Sequence, residues 1–118
     1  MWKMKLSAVF AILFLTVLFA GCANDPLSAS VTVKYQVSGT AAYADIDYIN
    51  ENGQLAIINN VSLPWSITFT RDKGDMVSLS ATNTGTTGTV IVEIFSNGTL
   101  FATDTSSDST AATAEGIL

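Results

Sequence analysis

The stretch that decides the fold is VTVKYQV at residues 31–37, in which every second residue is apolar. Successive side chains of a β-strand point to opposite faces, so the four apolar residues would share one face and the three polar residues the other. This period of two predicts a strand with one side towards a core. Apolar residues alternate in the same way in several later segments: 44–48 (ADIDY), 65–69 (WSITF), 77–81 (VSLSA) and 90–94 (VIVEI).

Turn signals separate these segments at short intervals. Asn52-Gly53 and Asn97-Gly98 are pairs that accept the positive φ angles of tight hairpins. Pro64 cannot donate to a β-ladder and marks a strand start or a sheet edge, and residues 111–117 could form a last edge strand. The sequence therefore predicts an all-β fold over residues 31–118, a small antiparallel immunoglobulin-like β-sandwich of about six to eight strands.

The N-terminus has a different character. Lys3 and Lys5 precede the apolar run LSAVFAILFLTVLFA at residues 6–20. This is the order of a secretory signal, and the run is shorter than the roughly 17 residues that a spanning helix needs. Residues 1–21 are therefore predicted to be a helical signal peptide, with the sandwich after it.

The end of that run, LFAGC at residues 18–22, resembles the lipobox of bacterial lipoproteins. The resemblance implies that the Cys22 thiol is alkylated with diacylglycerol, that the signal is cut just before it, and that the new α-amino group is acylated. Cys22 is thus the predicted lipidation site, and the protein would be exported and membrane-anchored. The alternative is an ordinary secretory signal cut after Ala23, which would leave Cys22 in the discarded piece.

Residues 22–30 are small, polar and interrupted by Pro26, and they are predicted to form a flexible tether. In Gram-negative lipoproteins an Asp directly after the lipidated Cys favours the inner membrane, whereas here Ala23 follows Cys22. The resemblance therefore implies the outer membrane if the source is Gram-negative. In any other source it implies the outer leaflet of the cell membrane.

Charge and composition exclude several classes of function. The chain has 5 basic and 10 acidic residues, and Lys3 and Lys5 lie in the predicted signal peptide, so a basic nucleic-acid surface is excluded. The chain has no His and only one Cys, which removes imidazole catalysis, thiolate metal clusters and an intramolecular disulfide. No Ser or Thr has a nearby base, so we predict no catalytic residue, no cofactor and no enzyme.

An ordered set of short segments across residues 31–100 resembles the MmpS family of bacterial envelope proteins. The segments are Val33-Lys34-Tyr35 with Val37 and Gly39, Ala44 to Tyr48, Leu63-Pro64-Trp65, Leu79-Ser80-Ala81, and Glu93-Ile94 ahead of Asn97-Gly98. The resemblance implies a β-sandwich outside the membrane that assists MmpL transporters of the resistance-nodulation-division class in exporting lipids and siderophores. Mycobacterial members carry two cysteines, the first at the position of Val92, and a spanning helix; this chain departs from both features.

Four large side chains are candidates for binding a partner: Trp65, Ile91, Phe95 and Phe101. Alternation places the last three opposite an inward set that contains Leu100 and Ala102, so they are expected to form an apolar docking patch. The alternatives are a core position for Trp65 and a second buried layer for the other three.

A last pair, Asp45 and Asp47, would share one face of a strand, as two oxygen ligands of a hard cation do. No further ligand lies close in sequence, so we interpret them as a solvated acidic face and predict no metal site.

Two functions remain open from the sequence. The first is a lipid-tethered accessory or scaffold domain that binds an envelope partner such as a transporter. The second is a surface or periplasmic lipoprotein that binds a small hydrophobic ligand or a glycan, which would need a concave apolar pocket between the sheets or beside Trp65.

Overall fold

The structure, a computed structural model, describes residues 29–118. The predicted signal peptide, Cys22 and most of the predicted tether lie outside the described residues. Within residues 29–118 no helix is long and apolar enough to cross a membrane. This part of the chain forms eight strands: β1 (Ser30–Ser38), β2 (Tyr43–Ile49), β3 (Leu55–Ser62), β4 (Trp65–Asp72), β5 (Met76–Asn83), β6 (Thr89–Ser96), β7 (Thr99–Ser107) and β8 (Ala111–Ile117).

The strands form two antiparallel sheets of four. The first sheet has the order β4-β1-β6-β7 and the second has the order β3-β2-β5-β8. The chain crosses between the sheets five times, and only the β2–β3 and β6–β7 connections are hairpins within one sheet. The predicted small all-β sandwich is therefore confirmed, including the last edge strand at β8.

Alternating residues of both sheets fill the space between them. In β1 the side chains of Val33, Tyr35 and Val37 have no exposed surface, while the polar residues between them point outward. The facing sheet contributes a second set of buried apolar side chains: Ala44, Ile46, Tyr48, Val77, Leu79, Ala81, Ala112 and Ala114. The apolar positions of the alternating sequence pattern are thus the buried positions of the strands.

Among residues 29–118, Tyr35 is the largest fully buried side chain, and it joins the two sheets. The β2–β5 ladder ends at the pair Tyr48 and Leu79. Just beyond it, the Tyr35 hydroxyl donates to the carbonyl oxygen of Ile49 at 2.8 Å and accepts from the Ser78 N–H at 3.3 Å. A side chain of the first sheet therefore replaces a backbone bond of the second. Burial raises the pKa of this hydroxyl.

The β6–β7 hairpin departs from the simple alternation. Its turn residues Asn97 and Gly98 both have positive φ, and the register shifts after Ile94, so that Phe95 pairs with Leu100 while Ile94 pairs with Ala102. The extra residue in β7 turns Leu100 outward, where 49% of it is exposed. The predicted inward position is correct for Ala102 and wrong for Leu100.

The edge strands β7 and β8, which belong to different sheets, cover each other. The ring of Phe101 lies so close to the backbone of Gly116 that a β-carbon there would stand 2.6 Å from it. The Asp104 carboxylate also accepts the backbone N–H of Thr113 at 3.0 Å. This side of the sandwich is therefore closed by side chains.

Candidate functional site

The outward side of the first sheet carries apolar groups where alternation would favour polar ones. Strand β6 points Ile91, Glu93 and Phe95 away from the core because Val90, Val92 and Ile94 point into it. Ile91 and Phe95 are each half-buried. We call this surface, defined by Ile91, Glu93 and Phe95 with their neighbours on β1 and β7, the β6 face.

Phe95 lies between two different kinds of neighbour. On β1 the Lys34 ammonium nitrogen stands 5.8 Å from the centroid of the Phe95 ring, within the range of a cation–π contact. On β7 the exposed Leu100 is its direct cross-strand partner. Phe95 is therefore an apolar centre with a positive charge on one side and an aliphatic group on the other.

The middle of the β6 face is polar. The Gln36 side-chain amide on β1 donates to the Glu93 carboxylate at 3.2 Å, and Thr103 on β7 donates to the carbonyl oxygen of Val92 at 2.9 Å. These bonds fix polar groups between Ile91 and Phe95. The face thus has two apolar positions with hydrogen-bonded polar groups between them.

An open groove of about 310 Å³ lies beside Phe95, lined by Thr32, Lys34, Thr68, Phe95 and Gly98. Its end is fixed because the Asn97 side-chain oxygen accepts the Thr32 N–H at 2.9 Å and the Asn97 N–H donates to the Thr32 carbonyl oxygen at 2.8 Å. These bonds tie the β6–β7 turn to the beginning of β1. The groove is therefore at the end of the sandwich where β1 begins.

Trp65 lies elsewhere. It begins β4 on the inward side, is half-buried against the core, and its ring stands 5.5 Å from that of Tyr48. Part of it also lines an open groove of about 350 Å³ together with Gln36, Pro64 and Ser66. Trp65 is thus a core contact with one exposed side.

The structure brings together two of the four candidate partner-binding residues. Ile91 and Phe95 share the β6 face, Phe101 covers the edge between β7 and β8, and Trp65 packs at the other side of the first sheet. Sequence reasoning missed Lys34 and Leu100 as members of this surface. The signal for Lys34 was its position in the outward set of β1, while the bulge that turns Leu100 outward has no clear sequence signal.

The extent of a family match decides the affiliation of the chain. A family model described as Mycobacterium membrane protein matches residues 19–115, which include every described strand in whole or in large part. The chain belongs to this family. The predicted resemblance to the MmpS type is thereby confirmed. No curated protein matches the chain.

Membership of the MmpS-type family indicates that the protein is associated with a membrane. The match begins at residue 19, near the end of the apolar run, and continues to residue 115. The family relation therefore covers the folded domain that carries the β6 face, but only the last two residues of the apolar run.

The two aspartates of β2 in this MmpS-type domain are not arranged around a metal. Asp45 accepts the backbone N–H of Asn60 at 2.8 Å, where β3 bulges and Asn60 has a φ of 55°. Within residues 29–118 no group of three His, Cys, Asp or Glu side chains could hold a metal ion. Asp45 therefore stabilises a bulge in the second sheet.

Proposed function

We propose that this MmpS-type protein is a non-enzymatic, lipid-anchored accessory domain of the cell envelope that docks a protein partner on its β6 face. The leading candidate partner is a transporter of the resistance-nodulation-division class. The observation that carries the proposal is the outward row of Ile91 and Phe95, with Leu100 beside it, on a strand whose other side is fully buried. These side chains lie on the outer side of the sheet and do not pack into the core, so a docked partner would cover their exposed apolar surface.

The composition of the β6 face supports docking. Protein interfaces concentrate their binding energy in a few aromatic and aliphatic anchors surrounded by polar groups. Phe95 has the position of an anchor, and the hydrogen-bonded pair of Gln36 and Glu93 has that of a fixed polar neighbour. Lys34 adds one positive charge beside Phe95, which favours a partner surface with a carboxylate opposite it.

The anchor would hold this face near the membrane. If Cys22 carries the acyl groups, the residues from 22 to 29 can extend over at most about 29 Å before β1 begins. The groove beside Phe95 lies at that same end of the sandwich. A partner that reaches the β6 face is therefore expected to be a membrane protein with a domain close to the outer surface of the bilayer.

Replacing Phe95 with serine is expected to lower recovery of the transporter with this protein about tenfold or more, because removal of a central interface anchor costs about 2 kcal/mol or more. The measurement is co-purification from native membranes in mild detergent, quantified by mass spectrometry. Phe95 is on the outer side of the sheet, so the domain is expected to stay folded, which circular dichroism checks.

The matched control is Ile117→Ser, which removes an exposed apolar side chain from the outer side of the second sheet, where 62% of Ile117 is exposed. It should leave recovery unchanged. Equal recovery with wild-type protein and with both variants would contradict docking on the β6 face.

The groove beside Phe95 supports a second candidate function, the binding of a small hydrophobic ligand. Its volume of about 310 Å³ is at the lower limit of ligand sites, which begin near 300 Å³. Native mass spectrometry of the purified protein would find a bound small molecule that Phe95→Ser loses. A wild-type protein that carries no ligand mass would remove this candidate and leave the docking proposal standing.

A further inference from the structure

Strand β3 forms an open edge of the second sheet. It pairs only with β2, and its sequence LAIINNVS contains neither a charged residue nor proline. Natural proteins protect edge strands with charges, proline, bulges or covering groups, because an unpaired edge is a template for another strand. Apart from a bulge near its end at Asn60, β3 has none of these protections.

The other edges of the described sandwich are protected. β7 and β8 cover each other through Phe101 and Gly116. β4 follows Pro64 and ends in Arg71 and Asp72, two charged residues. Within residues 29–118, β3 is therefore the sheet edge that is open to pairing with another strand.

Both sides of β3 are apolar at its beginning. Leu55 and Ile57 point outward with 63% and 61% of their surface exposed, while Ala56 and Ile58 point inward and are only half-buried. A strand added beside β3 would cover both pairs at once. A partner of any shape could cover apolar groups on one side of a sheet. Apolar groups on both sides of an open edge are best covered by an added strand, which extends both sides of the sheet.

We propose that this partner strand is β3 of a second copy of the same chain, paired antiparallel about Ile57. The regular part of β3 runs from Leu55 to Ile58, before the bulge near Asn60, so Ile57 is close to its centre. Such pairing places Ile57 opposite Ile57 of the second copy and Ala56 opposite its Ile58. Outward residues then meet outward residues, and the two second sheets join into one continuous sheet.

Charge does not oppose pairing with a second copy, despite the acidic character of the chain. The nearest outward carboxylate is Asp47, the β2 partner of Ile57. In the paired sheet the two Asp47 residues would be three strand spacings apart, about 14 Å, which exceeds the screening length of about 8 Å at physiological salt. Strand β3 has no charged side chain that would select a different protein as its partner.

The pairing also closes. Each copy contributes one open edge, so a two-fold pair uses both edges and leaves none for a third copy. The two-fold axis is perpendicular to the sheet, so the β1 strands of the two copies begin at the same height along this axis. Both tethers could then reach one bilayer.

A single short strand pair is expected to bury less than the roughly 1,200 Å² of a standard stable interface. Anchoring of both copies to one membrane would supply the effective concentration that the dimer needs.

Crosslinking in native membranes tests the dimer on the full-length chain. Ile57→Cys, treated with a short bis-maleimide, is expected to give a covalent dimer of this chain, identified by mass spectrometry. Leu55→Cys is the matched control, because Leu55 has nearly the same exposure but would be about 14 Å from its own copy across the axis. We expect about fivefold less dimer from it, since only directly opposite side chains are close.

The wild-type chain, whose only cysteine is Cys22, shows the background. Three results would overturn the dimer: no crosslink from Ile57→Cys above this background, equal yields from Ile57→Cys and Leu55→Cys, or a crosslink from Ile57→Cys to a different protein. The β3 edge belongs to the sheet opposite the β6 face, so each of these outcomes leaves the proposed docking function to its own test.

Discussion

Tyr35→Ala is expected to lower the free energy of unfolding by about 3–5 kcal/mol, as truncation of a large core ring does. Small domains are stabilised by only about 5–15 kcal/mol in total, so much of the stability would be lost. The reason is the position of Tyr35 on the central strand β1, where its ring packs edge-on against Tyr48 at 5.7 Å and Phe69 at 5.1 Å between centroids. Chemical denaturation followed by tryptophan fluorescence measures the loss.

Tyr35→Phe separates the hydroxyl from the ring. It keeps the packing but leaves the Ile49 carbonyl and the Ser78 N–H without the group that joins them, so we expect a smaller loss of about 1–3 kcal/mol. The raised pKa of Tyr35 gives a second readout. The unfolded chain loses this proton first as pH rises above about 10, so the wild-type protein loses stability there and Tyr35→Phe loses less. A Tyr35→Phe variant as stable as the wild-type protein would contradict the bridging role.

Cys22→Ser is expected to abolish acylation and with it the stable membrane anchor. A hydroxyl does not replace the thiol in the lipoprotein modification that the LFAGC segment predicts. Each buried methylene of an acyl chain contributes about 0.8 kcal/mol, and two or three chains are needed for stable binding. The measurement is the intact mass of the membrane-extracted protein, which should exceed the mass of residues 22–118 by the acyl groups in wild type only.

Ala23→Ser is the matched control, because it introduces the same residue one position later and leaves Cys22 in place. It should keep both the acyl mass and the membrane fraction. If Cys22→Ser stays membrane-bound with the same processed mass as wild type, lipidation is contradicted. A wild-type protein that begins at Asn24 would instead support the ordinary signal cut after Ala23.

Most of the fold could be predicted from local patterns. The alternation at residues 31–37 gives β1 and its buried side, and the pair Asn97-Gly98 gives the β6–β7 turn. These features follow from the geometry of single strands and tight turns, which depend on neighbouring residues alone. The MmpS resemblance rested on the order of such segments, and the family match over residues 19–115 confirms it.

The parts that the sequence did not predict depend on contacts between distant residues. The bulge that turns Leu100 outward is set by pairing between β6 and β7, and one extra residue reverses the side of a position. The bond from Tyr35 to Ile49 and Ser78 crosses the sandwich. Prediction of the β6 face would likewise require the register of β1 against β6, which places Lys34 opposite Phe95.

Photo-crosslinking from the β6 face in native membranes tests the central claim most directly. Phe95 is replaced by benzoylphenylalanine, which keeps an aromatic ring at the site, and Thr113 on the outer side of β8 carries the same probe as the control. We expect irradiation to link position 95, and not position 113, to one envelope protein, a transporter of the resistance-nodulation-division class. No adduct from position 95, or the same adducts from both positions, would contradict it.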